Sequence, residues 1–280
     1  MNFIWQTFNG DQTDFEYEYI TEMLFKNHIK DKFFDNGSFS TILDNSIIIY
    51  SNNQNQISQD FENYLNEFIN KGFKFYLLHL SNENLSHDHS YYRKAEKVFR
   101  NYYNPNIESE NVSYIPLGFK SGFYNKNFNS ESFDKKELDF SFIGQIKSDR
   151  KEMYDNLLVE NSFVHLTQGW NCPTSLSPPE IIDLYKKTRF TPCPMGWTHP
   201  DSFRIMESLE WGSIPILKRY DNSDYHVKVW GETPIPIIDE WNEINKFSKM
   251  SEDHYNKMYQ NVFDWYSEYR KKIIDLKFSK

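Results

Sequence analysis

Short apolar runs alternate with longer amphipathic segments along the first third of the chain. The β-branched run at 46–50 predicts a buried strand, and the apolar run at 73–80 predicts another. Between them, the apolar residues of segment 57–70 recur at spacings of three and four, which places them on one face of a helix that ends at Gly72. Strand, helix and strand in this order predict a βαβ unit and therefore a parallel sheet.

A polar loop at 81–90 comes next, and the pattern then predicts a helix at 91–103 and a short strand at 112–117. The following stretch, 121–139, is the most polar part of the middle of the chain and is poor in strand-forming residues. It predicts a linker between two domains.

A second alternating series follows the linker. The predicted strands are 139–143, 163–166, 189–193, 213–217 and 234–238, and the predicted helices are 151–158, 179–187 and 201–211. Gly212 favours the end of the last of these helices. The series predicts a second parallel α/β domain, and ligands of such sheets bind at the carboxyl ends of the strands.

Segment 252–278 repeats its apolar residues every three or four positions and predicts one long amphipathic helix, for which core packing is a sufficient explanation. The predicted fold is α/β with two doubly wound, Rossmann-like domains. Domain boundaries are expected at 1–125 and 138–250. The helix, within 251–280, is long enough to bridge both domains.

Charge and composition narrow the function. The chain has 31 basic and 40 acidic residues, a formal net charge of −9, and this acidic balance disfavours a nucleic-acid partner. A local basic pocket can still bind one small phosphate-bearing ligand. Aromatic residues make up 18% of the chain, which excludes a disordered protein because so many rings need a packed interior.

The cysteines and the apolar runs predict where the protein acts. Cys172 and Cys193 have no disulfide-framework spacing, so two buried free thiols in a reducing compartment are expected. The N-terminal segment lacks the pattern of a signal peptide, and no apolar run reaches the length of a membrane span. The sequence therefore predicts a soluble, cytoplasmic protein with no membrane insertion.

Several catalytic motifs are absent from the sequence. It contains no G-x-G-x-x-G, no P-loop, no H-E-x-x-H, no G-x-S-x-G and no D-x-D. Metal-assisted chemistry is therefore disfavoured and no cofactor is expected. His87, Asp88 and His89 are three potential ligands in a row, but adjacent residues of a loop rarely converge on one ion.

Segment 189–217 carries the clearest chemical pattern: a strand, a loop and the start of a helix near Asp201 and Ser202. Free N–H groups and the positive end of the helix dipole suit a pyrophosphate there. Arg204, in the first turn, adds a forked cation that matches phosphate geometry. Glu207 could accept both hydroxyls of a ribose, although an isolated acid on a helix is ordinarily a surface residue.

This segment resembles the exostosin-like (GT47-type) glycosyltransferases, a family with the GT-B fold. The pattern F-x-x-C-P-x-G, then S-x-R-x-x-E-S/A-L, then G-x-I-P-I is formed by Phe190, Cys193, Pro194, Gly196, Ser202, Arg204, Glu207, Ser208, Leu209, Gly212, Ile214, Pro215 and Ile216. Residues 142–144 with Arg150 look like the family's opening strand and basic residue. Segments 78–83, 98–102 and 115–118 look like the acceptor domain of its small soluble members, among them chlorella-virus xylosyltransferases that act on capsid glycans.

The resemblance implies a GT-B enzyme whose two domains face a central cleft, with a UDP-sugar on the C-terminal domain and a glycan or glycoprotein acceptor on the N-terminal one. It further implies an inverting reaction without a metal. The donor residues it implies are Gly144, Lys147, Arg150, His165, Trp170, Gly196, His199, Asp201, Ser202, Arg204 and Glu207. Of these, His165 and Trp170 would line a uracil pocket or belong to the core. Arg100 and Lys120 are the acceptor-side candidates, and an ion pair on a helix surface explains Arg100 equally well.

An inverting transfer needs a general base for the acceptor hydroxyl. Glu83, after the strand at 73–80, is the first candidate, because relatives often carry Asp-Glu where this chain has Asn82 and Glu83. Asp88 and His87 lie in the same loop, with Asp88 the second choice. His79 lies on the apolar strand itself, where a histidine is more often part of the core.

The sequence therefore favours an inverting, metal-independent glycosyltransferase that moves a sugar, with xylose one candidate, from a UDP-sugar to a glycan hydroxyl. A catalytically degenerate nucleotide- or glycan-binding module of the same fold is the alternative, and Asn82 in place of an acid favours it. A third reading is an epimerase or hydrolase of the same fold, which would release free sugar without an acceptor.

Overall fold

The computed structural model describes residues 1–7, 15–51, 58–85, 89–107, 109–128, 136–157, 160–169, 172–220, 225–274 and 276. The chain divides into two compact units. The first contains Met1–Leu117 together with the chain from Ile273 onward, and the second contains Gly118–Lys272.

The first unit is built on a six-stranded sheet in the order β2-β1-β3-β4-β5-β6, and every neighbouring pair of strands is parallel. The strands are β1 (Asn2–Thr7), β2 (Asp31–Phe34), β3 (Ser46–Ser51), β4 (Phe75–Leu80), β5 (Val98–Arg100) and β6 (Val112–Tyr114). The strands predicted at 46–50, 73–80 and 112–117 are present with shifted ends. The pattern did not reveal β1, β2 or the π-helix Tyr19–Leu24.

The helix predicted between β3 and β4 is α1 (Gln59–Asn70). The hydroxyl of Ser58 accepts the Phe61 N–H at 3.2 Å and so caps its first turn. Gly72 follows the helix at a φ of +66°, which a residue with a side chain rarely adopts. The apolar face of α1 is buried in the core of the first unit, as its spacing predicted.

The helix predicted at 91–103 is wrong. The chain instead forms a short 3₁₀ helix, Ser90–Lys94, and then strand β5. Val98 and Phe99 pair with Leu77 and Leu78 of β4, so burial between two strands decides the conformation of a segment whose apolar spacing fits either element.

The second unit holds a five-stranded parallel sheet in the order β11-β10-β9-β7-β8. Its strands are β7 (Leu138–Gly144), β8 (Ser162–Leu166), β9 (Thr188–Cys193), β10 (Ile214–Lys218) and β11 (Ile237–Ile238). Its helices are α2 (Arg150–Asn156), α3 (Pro178–Lys187), α4 (Phe203–Glu210), α5 (Tyr225–Trp230), α6 (Asn245–Ser248) and α7 (Glu252–Ile274). The sequence anticipated all of these except α5 and α6. Residues 121–128 of the predicted linker belong to this unit, and Phe123 is buried, so this part of the predicted linker is packed.

A buried ion pair fixes the end of α4. Arg270 of α7 donates from Nε to Glu210 Oε1 at 2.9 Å and from Nη2 to Glu210 Oε2 at 3.2 Å. The Tyr266 hydroxyl and the Asn125 N–H also donate to this carboxylate, at 2.7 and 3.0 Å. Burial alone would lower the pKa of the Arg270 guanidinium, but the charge of Glu210 outweighs it and raises that pKa above its ordinary value. The C-terminal helix is thereby tied to the helix that leaves β9.

Replacing Arg270 by methionine should lower the free energy of unfolding by about 3–5 kcal/mol, because the Glu210 carboxylate would stay buried without its cation. Chemical denaturation followed by tryptophan fluorescence measures this change. Lys271→Met is the matched control: it removes an exposed pair with Glu268 on the same helix and should change stability by less than about 0.5 kcal/mol. Equal losses in the two variants would contradict the role assigned to the pair.

Glu16 is fully buried in the first unit, and burial raises the pKa of its carboxyl to about 8. An unfolded chain ionises this group near its ordinary value of 4.5, so the stability that the neutral form contributes is complete below pH 4.5 and is lost as the pH rises to about 8. Each pKa unit is worth about 1.4 kcal/mol. Glu16→Gln stays neutral at every pH.

The melting temperature of Glu16→Gln, relative to that of the native protein, should therefore rise between pH 5 and pH 8. Glu67→Gln, on the exposed face of α1, is the control and should follow the native curve. Parallel curves for all three proteins would show that Glu16 does not hold its proton in the folded state.

Candidate functional site

In the second unit, chemistry-bearing side chains gather at the carboxyl ends of β7 and β9. We refer to Gly144, Arg150, Ser202, Arg204 and Glu207 as the Arg204 cluster. Gly144 ends β7, while Ser202 and Arg204 open the helix that follows β9. Because β7 and β9 are parallel neighbours, their carboxyl ends meet at one edge of the sheet.

Arg204 is held against the end of β7. Its Nε and Nη2 donate to the Ile143 carbonyl at 3.2 and 3.0 Å, and its guanidinium lies 5.0 Å from the centre of the Phe142 ring. Among the described residues, Nη1 makes no hydrogen bond, so this half of the fork remains available to an anion.

Gly144 makes this placement possible. Its φ is +152°, and a Cβ at this position would lie 2.9 Å from Arg204 Nη2 and 3.6 Å from Arg150 Nη1. Any larger residue would therefore strain the backbone and displace the Arg204 guanidinium.

Arg150 joins the two loops of the site. It donates from Nε and Nη2 to the Met195 carbonyl at 3.2 and 3.0 Å, and from Nη1 to the Gln145 carbonyl at 3.2 Å. The guanidinium is buried. Arg150 thus fixes the loops after β7 and β9 relative to each other, a positioning contact in addition to any effect of its charge on a ligand.

The N-terminus of α4 faces the same edge. Ser202 is its N-cap residue in extended conformation, yet its side chain makes no capping hydrogen bond. Its Oγ is buried and has no partner among the described residues, and the residue is 7% exposed. A buried hydroxyl without a partner at a helix N-terminus points to a group that is bound there in the functional state.

Glu207 lies one turn further along α4 and is also buried. Burial raises the pKa of its carboxyl, while the charges of Lys120 and Arg204 act in the opposite direction. Its Oε1 accepts the backbone N–H of Lys120 at 3.4 Å, and Tyr185 also bonds to it. Lys120, an acceptor-side candidate, lies in the second unit beside a donor-side carboxylate.

The remaining donor-side candidates lie in loops around the cluster. Lys147 Nζ is 4.4 Å from the centre of the Trp197 ring, and Trp197 is 64% exposed. Gly196 N–H donates to the His199 carbonyl at 2.7 Å, and Asp201 is buried beside the N-cap. The exposed indole beside a lysine is a surface on which a flat ring could stack.

The predicted base-pocket residues are tied into the loop after β8. His165 Nε2 donates to the Thr174 carbonyl at 2.6 Å, which leaves Nδ1 as its accepting atom in the neutral ring. Trp170 lies outside the described residues. Cys172, in the same loop, is partly exposed, so the prediction that both thiols are buried is wrong for it; Cys193 is buried, and both are free.

A second polar group lies in the first unit at the carboxyl ends of β4 and β5. We refer to His79, Asn82, His89, Tyr92 and Arg100 as the Arg100 cluster. Arg100 pairs in register with His79, and its guanidinium is completely buried. The surface ion pair considered for Arg100 is therefore wrong, because Arg100 ends a buried strand and no described carboxylate pairs with it.

The base candidates are distributed around this cluster. His79 is buried, and its Nδ1 is hydrogen-bonded to the Tyr92 hydroxyl, which matches the reading of a core histidine. Glu83 is half-buried in the loop after β4. His87 and Asp88 lie outside the described residues. Nothing in the spacing singles out Glu16, which is one acid among many near the N-terminus; only its burial identifies it.

The part of the chain that the structure describes contains no group of three or more His, Cys, Asp or Glu residues arranged to hold a metal ion. Within the same residues, no helix is both long and apolar enough to cross a membrane.

Comparison with known proteins identifies the fold. No family model and no curated protein sequence matches the chain. The chain is similar to the solved structure of the DNA-modifying enzyme β-glucosyltransferase, determined with and without its substrate uridine diphosphoglucose, at 12% identity and a TM-score of 0.50 over 98% of this chain and 97% of that one. It is also similar to an α1,3-fucosyltransferase, at 10% identity and a TM-score of 0.51 over 99% of this chain and 91% of that one.

These likenesses, with the two parallel α/β units and the long C-terminal helix, confirm the predicted GT-B fold class. At such low identities they establish the fold alone. The exostosin-like family and its xylosyl-transferring members stay predictions.

The two thiols should react very differently at pH 7. Hydrogen bonds from Ser175 and Thr174 lower the pKa of the Cys172 thiol to about 6, whereas burial raises the pKa of the Cys193 thiol to about 12. Iodoacetamide should therefore modify Cys172 alone, as read by mass spectrometry of tryptic peptides. Cys172→Ser should take up no label, and equal labelling of both thiols in the native protein would overturn the assignment.

Proposed function

We propose that this protein is a glycosyltransferase that binds a UDP-sugar on its second unit and transfers the sugar to a hydroxyl of a glycan or glycoprotein held by its first unit. The observation that carries the proposal is the N-terminus of α4, where the buried Ser202 hydroxyl and the Arg204 guanidinium lie at the positive end of the helix. The GT-B fold, shared with a glucosyltransferase and a fucosyltransferase, supports it.

The chemistry of transfer requires that negative charge be stabilised on the departing diphosphate. Arg204 Nη1 offers two N–H groups and Ser202 Oγ offers one O–H. None of these donors makes a hydrogen bond to the described residues, while Nε and Nη2 of Arg204 hold its guanidinium in place. Their donors and the positive end of α4 supply the stabilisation that a metal ion provides in other transferases. We therefore propose a metal-independent reaction with no other cofactor.

The nucleoside contacts are the less constrained part of the proposal. A ribose hydroxyl at Glu207 would compete with the Lys120 N–H for the same carboxylate. Trp197 and the Nδ1 atom of His165 are the candidates for stacking on and bonding to the base. Diphosphate binding by Ser202 and Arg204 thus carries more of the proposed affinity than base recognition does.

We further propose inversion at the sugar carbon, by direct attack of an acceptor hydroxyl that a carboxylate of the first unit deprotonates. Glu83, half-buried in the loop after β4, is the first candidate for this base. Xylose is the sugar we propose to test first, because segments 78–83, 98–102 and 115–118 resemble small soluble members of the family, among which are xylosyltransferases.

Arg204→Ala should weaken UDP binding by about ten- to a hundredfold, because one or two charge-assisted hydrogen bonds to phosphate are lost. Gly144→Ala should weaken it by about tenfold without removing any side-chain donor, since it displaces the same guanidinium. Isothermal titration calorimetry measures both. Arg219→Ala removes an exposed arginine of the same unit and should bind UDP as the native protein does; a similar loss in that control would refute a specific role for Arg204.

Transfer itself is tested by incubating the protein with UDP-xylose, UDP-glucose and UDP-galactose, a panel of glycan acceptors and EDTA. Product should form in EDTA, and Glu83→Gln should abolish it while leaving UDP affinity unchanged. Loss of all transfer in EDTA with recovery in manganese would refute the metal-free reaction.

The binding-module alternative is favoured by Asn82, an amide two residues after β4 where the exostosin-like sequences that this chain resembles often carry an acid. UDP binding without transfer or sugar release in any combination would support it. Release of free sugar without an acceptor would indicate a hydrolase instead.

A further inference from the structure

Arg100 is a buried cation for which the described residues provide only neutral partners. Its side chain is 0% exposed, and it takes part in no ion pair among those residues. Nε donates to the Asn101 carbonyl at 3.0 Å, Nη1 to His89 Nε2 at 3.0 Å and to the Tyr92 hydroxyl at 3.2 Å, and Nη2 to Asn82 Oδ1 at 3.3 Å. A buried charge is costly unless an opposite charge accompanies it.

The hydrogen bonds of the cluster leave two donor groups beside Arg100 without a partner among the described residues. A guanidinium has five N–H groups, and the four bonds above leave one of them, on Nη2. Asn82 accepts from Arg100 with its Oδ1, and its buried Nδ2 has no partner among the described residues. Two orphaned donor groups therefore lie together next to a positive charge that no described carboxylate compensates.

Neutral accepting groups cannot remove this charge. Arg100 only donates, so His89 Nε2 must accept, which requires the uncharged ring with its proton on Nδ1. Burial raises the pKa of the Tyr92 hydroxyl, and Arg100 lowers it by less, so that group stays neutral as well. The partner that satisfies the cluster is an oxyanion, because only an oxyanion accepts several N–H groups and supplies the missing charge.

The position of the cluster agrees with a ligand site. Arg100 is the last residue of β5, and Asn82 follows β4 by two residues. Ligands of parallel α/β sheets bind at this carboxyl edge, where loops can supply side chains and open to admit a molecule.

We propose that the Arg100 cluster binds an oxyanion, the carboxylate or phosphate group of the acceptor molecule, through Arg100 Nη2 and Asn82 Nδ2. The identity of that molecule as an acceptor rests on the proposed function; the anion site itself does not. The acceptor is then an acidic glycan, either one that contains a uronic acid or one that carries a phosphate ester, and the buried cluster rejects neutral sugars because they leave its charge unpaired.

The decisive variant is Asn82→Asp, which keeps the shape of the side chain and places a carboxylate beside Arg100. That carboxylate takes the position of the ligand oxyanion. Asn84→Asp adds the same charge to an exposed position of the same loop and is the matched control. Arg204→Ala separates this site from any phosphate bound on the second unit.

Thermal unfolding is measured with inorganic phosphate, acetate and glucuronate against chloride of equal ionic strength. The native protein, Asn84→Asp and Arg204→Ala should each gain on the order of 2–4 °C with phosphate or with a carboxylate. Asn82→Asp should melt above the native protein without any anion and gain nothing when one is added. No gain in the native protein, or a gain that survives in Asn82→Asp, would overturn the proposal.

Acceptor competition then identifies the source of the oxyanion. In the transfer assay, a sugar phosphate or a uronic-acid-containing oligosaccharide should exceed its neutral counterpart in kcat/KM by about tenfold or more, and the ratio should fall to about one in Asn82→Asp. Whichever of the two acceptors shows the larger ratio supplies the group. Anion stabilisation without transfer to any acceptor would support the site and refute the glycosyltransferase; transfer to neutral acceptors at the same rate would do the reverse.

Discussion

The buried pair of Glu210 and Arg270 is the interaction on which the second unit depends. Glu210 ends the short helix α4, and its carboxylate also accepts from Tyr266 and from the backbone of Asn125. A carboxylate in this position is tolerable only because four donors surround it. The pair fixes one end of α4, so that the other end, with Ser202 and Arg204, is held firmly at the carboxyl edge of the sheet.

The two polar clusters use buried arginines in different ways. In the Arg204 cluster, Arg150 donates to a carbonyl of the loop after β9 and Arg204 donates to a carbonyl near the end of β7. The Nη1 atom of Arg204 makes no hydrogen bond to the described residues. In the Arg100 cluster, side chains surround the guanidinium but none neutralises it. In the function we propose, the first arrangement stabilises a leaving group that departs with negative charge, whereas the second binds a ligand that already carries negative charge.

The sequence predicted the fold well where apolar spacing and chain breakers agree. Ser58, the apolar stripe of 57–70 and Gly72 together defined α1, and Gly212 marked the end of α4. The prediction of a helix at 91–103 was wrong because the apolar residues of this segment suit a helix as well as a strand. Only pairing with β4 decides between the two. Motif spacing located Ser202 and Arg204, but it could not reveal that the described residues offer Arg100 no counter-charge or that Glu16 is buried, since both depend on contacts distant in sequence.

The connectivity of the buried pair also bears on how the chain reaches its native state. Every neighbouring pair in both sheets is parallel, so no sheet contact forms through a hairpin, and each needs a crossover connection. Folding is therefore governed by non-local contacts and is expected to be slow. Glu210 leaves the ribosome 60 residues before Arg270 does. During synthesis the core around α4 must remain open until the last helix is made, and the nascent second unit is exposed to aggregation for that whole interval.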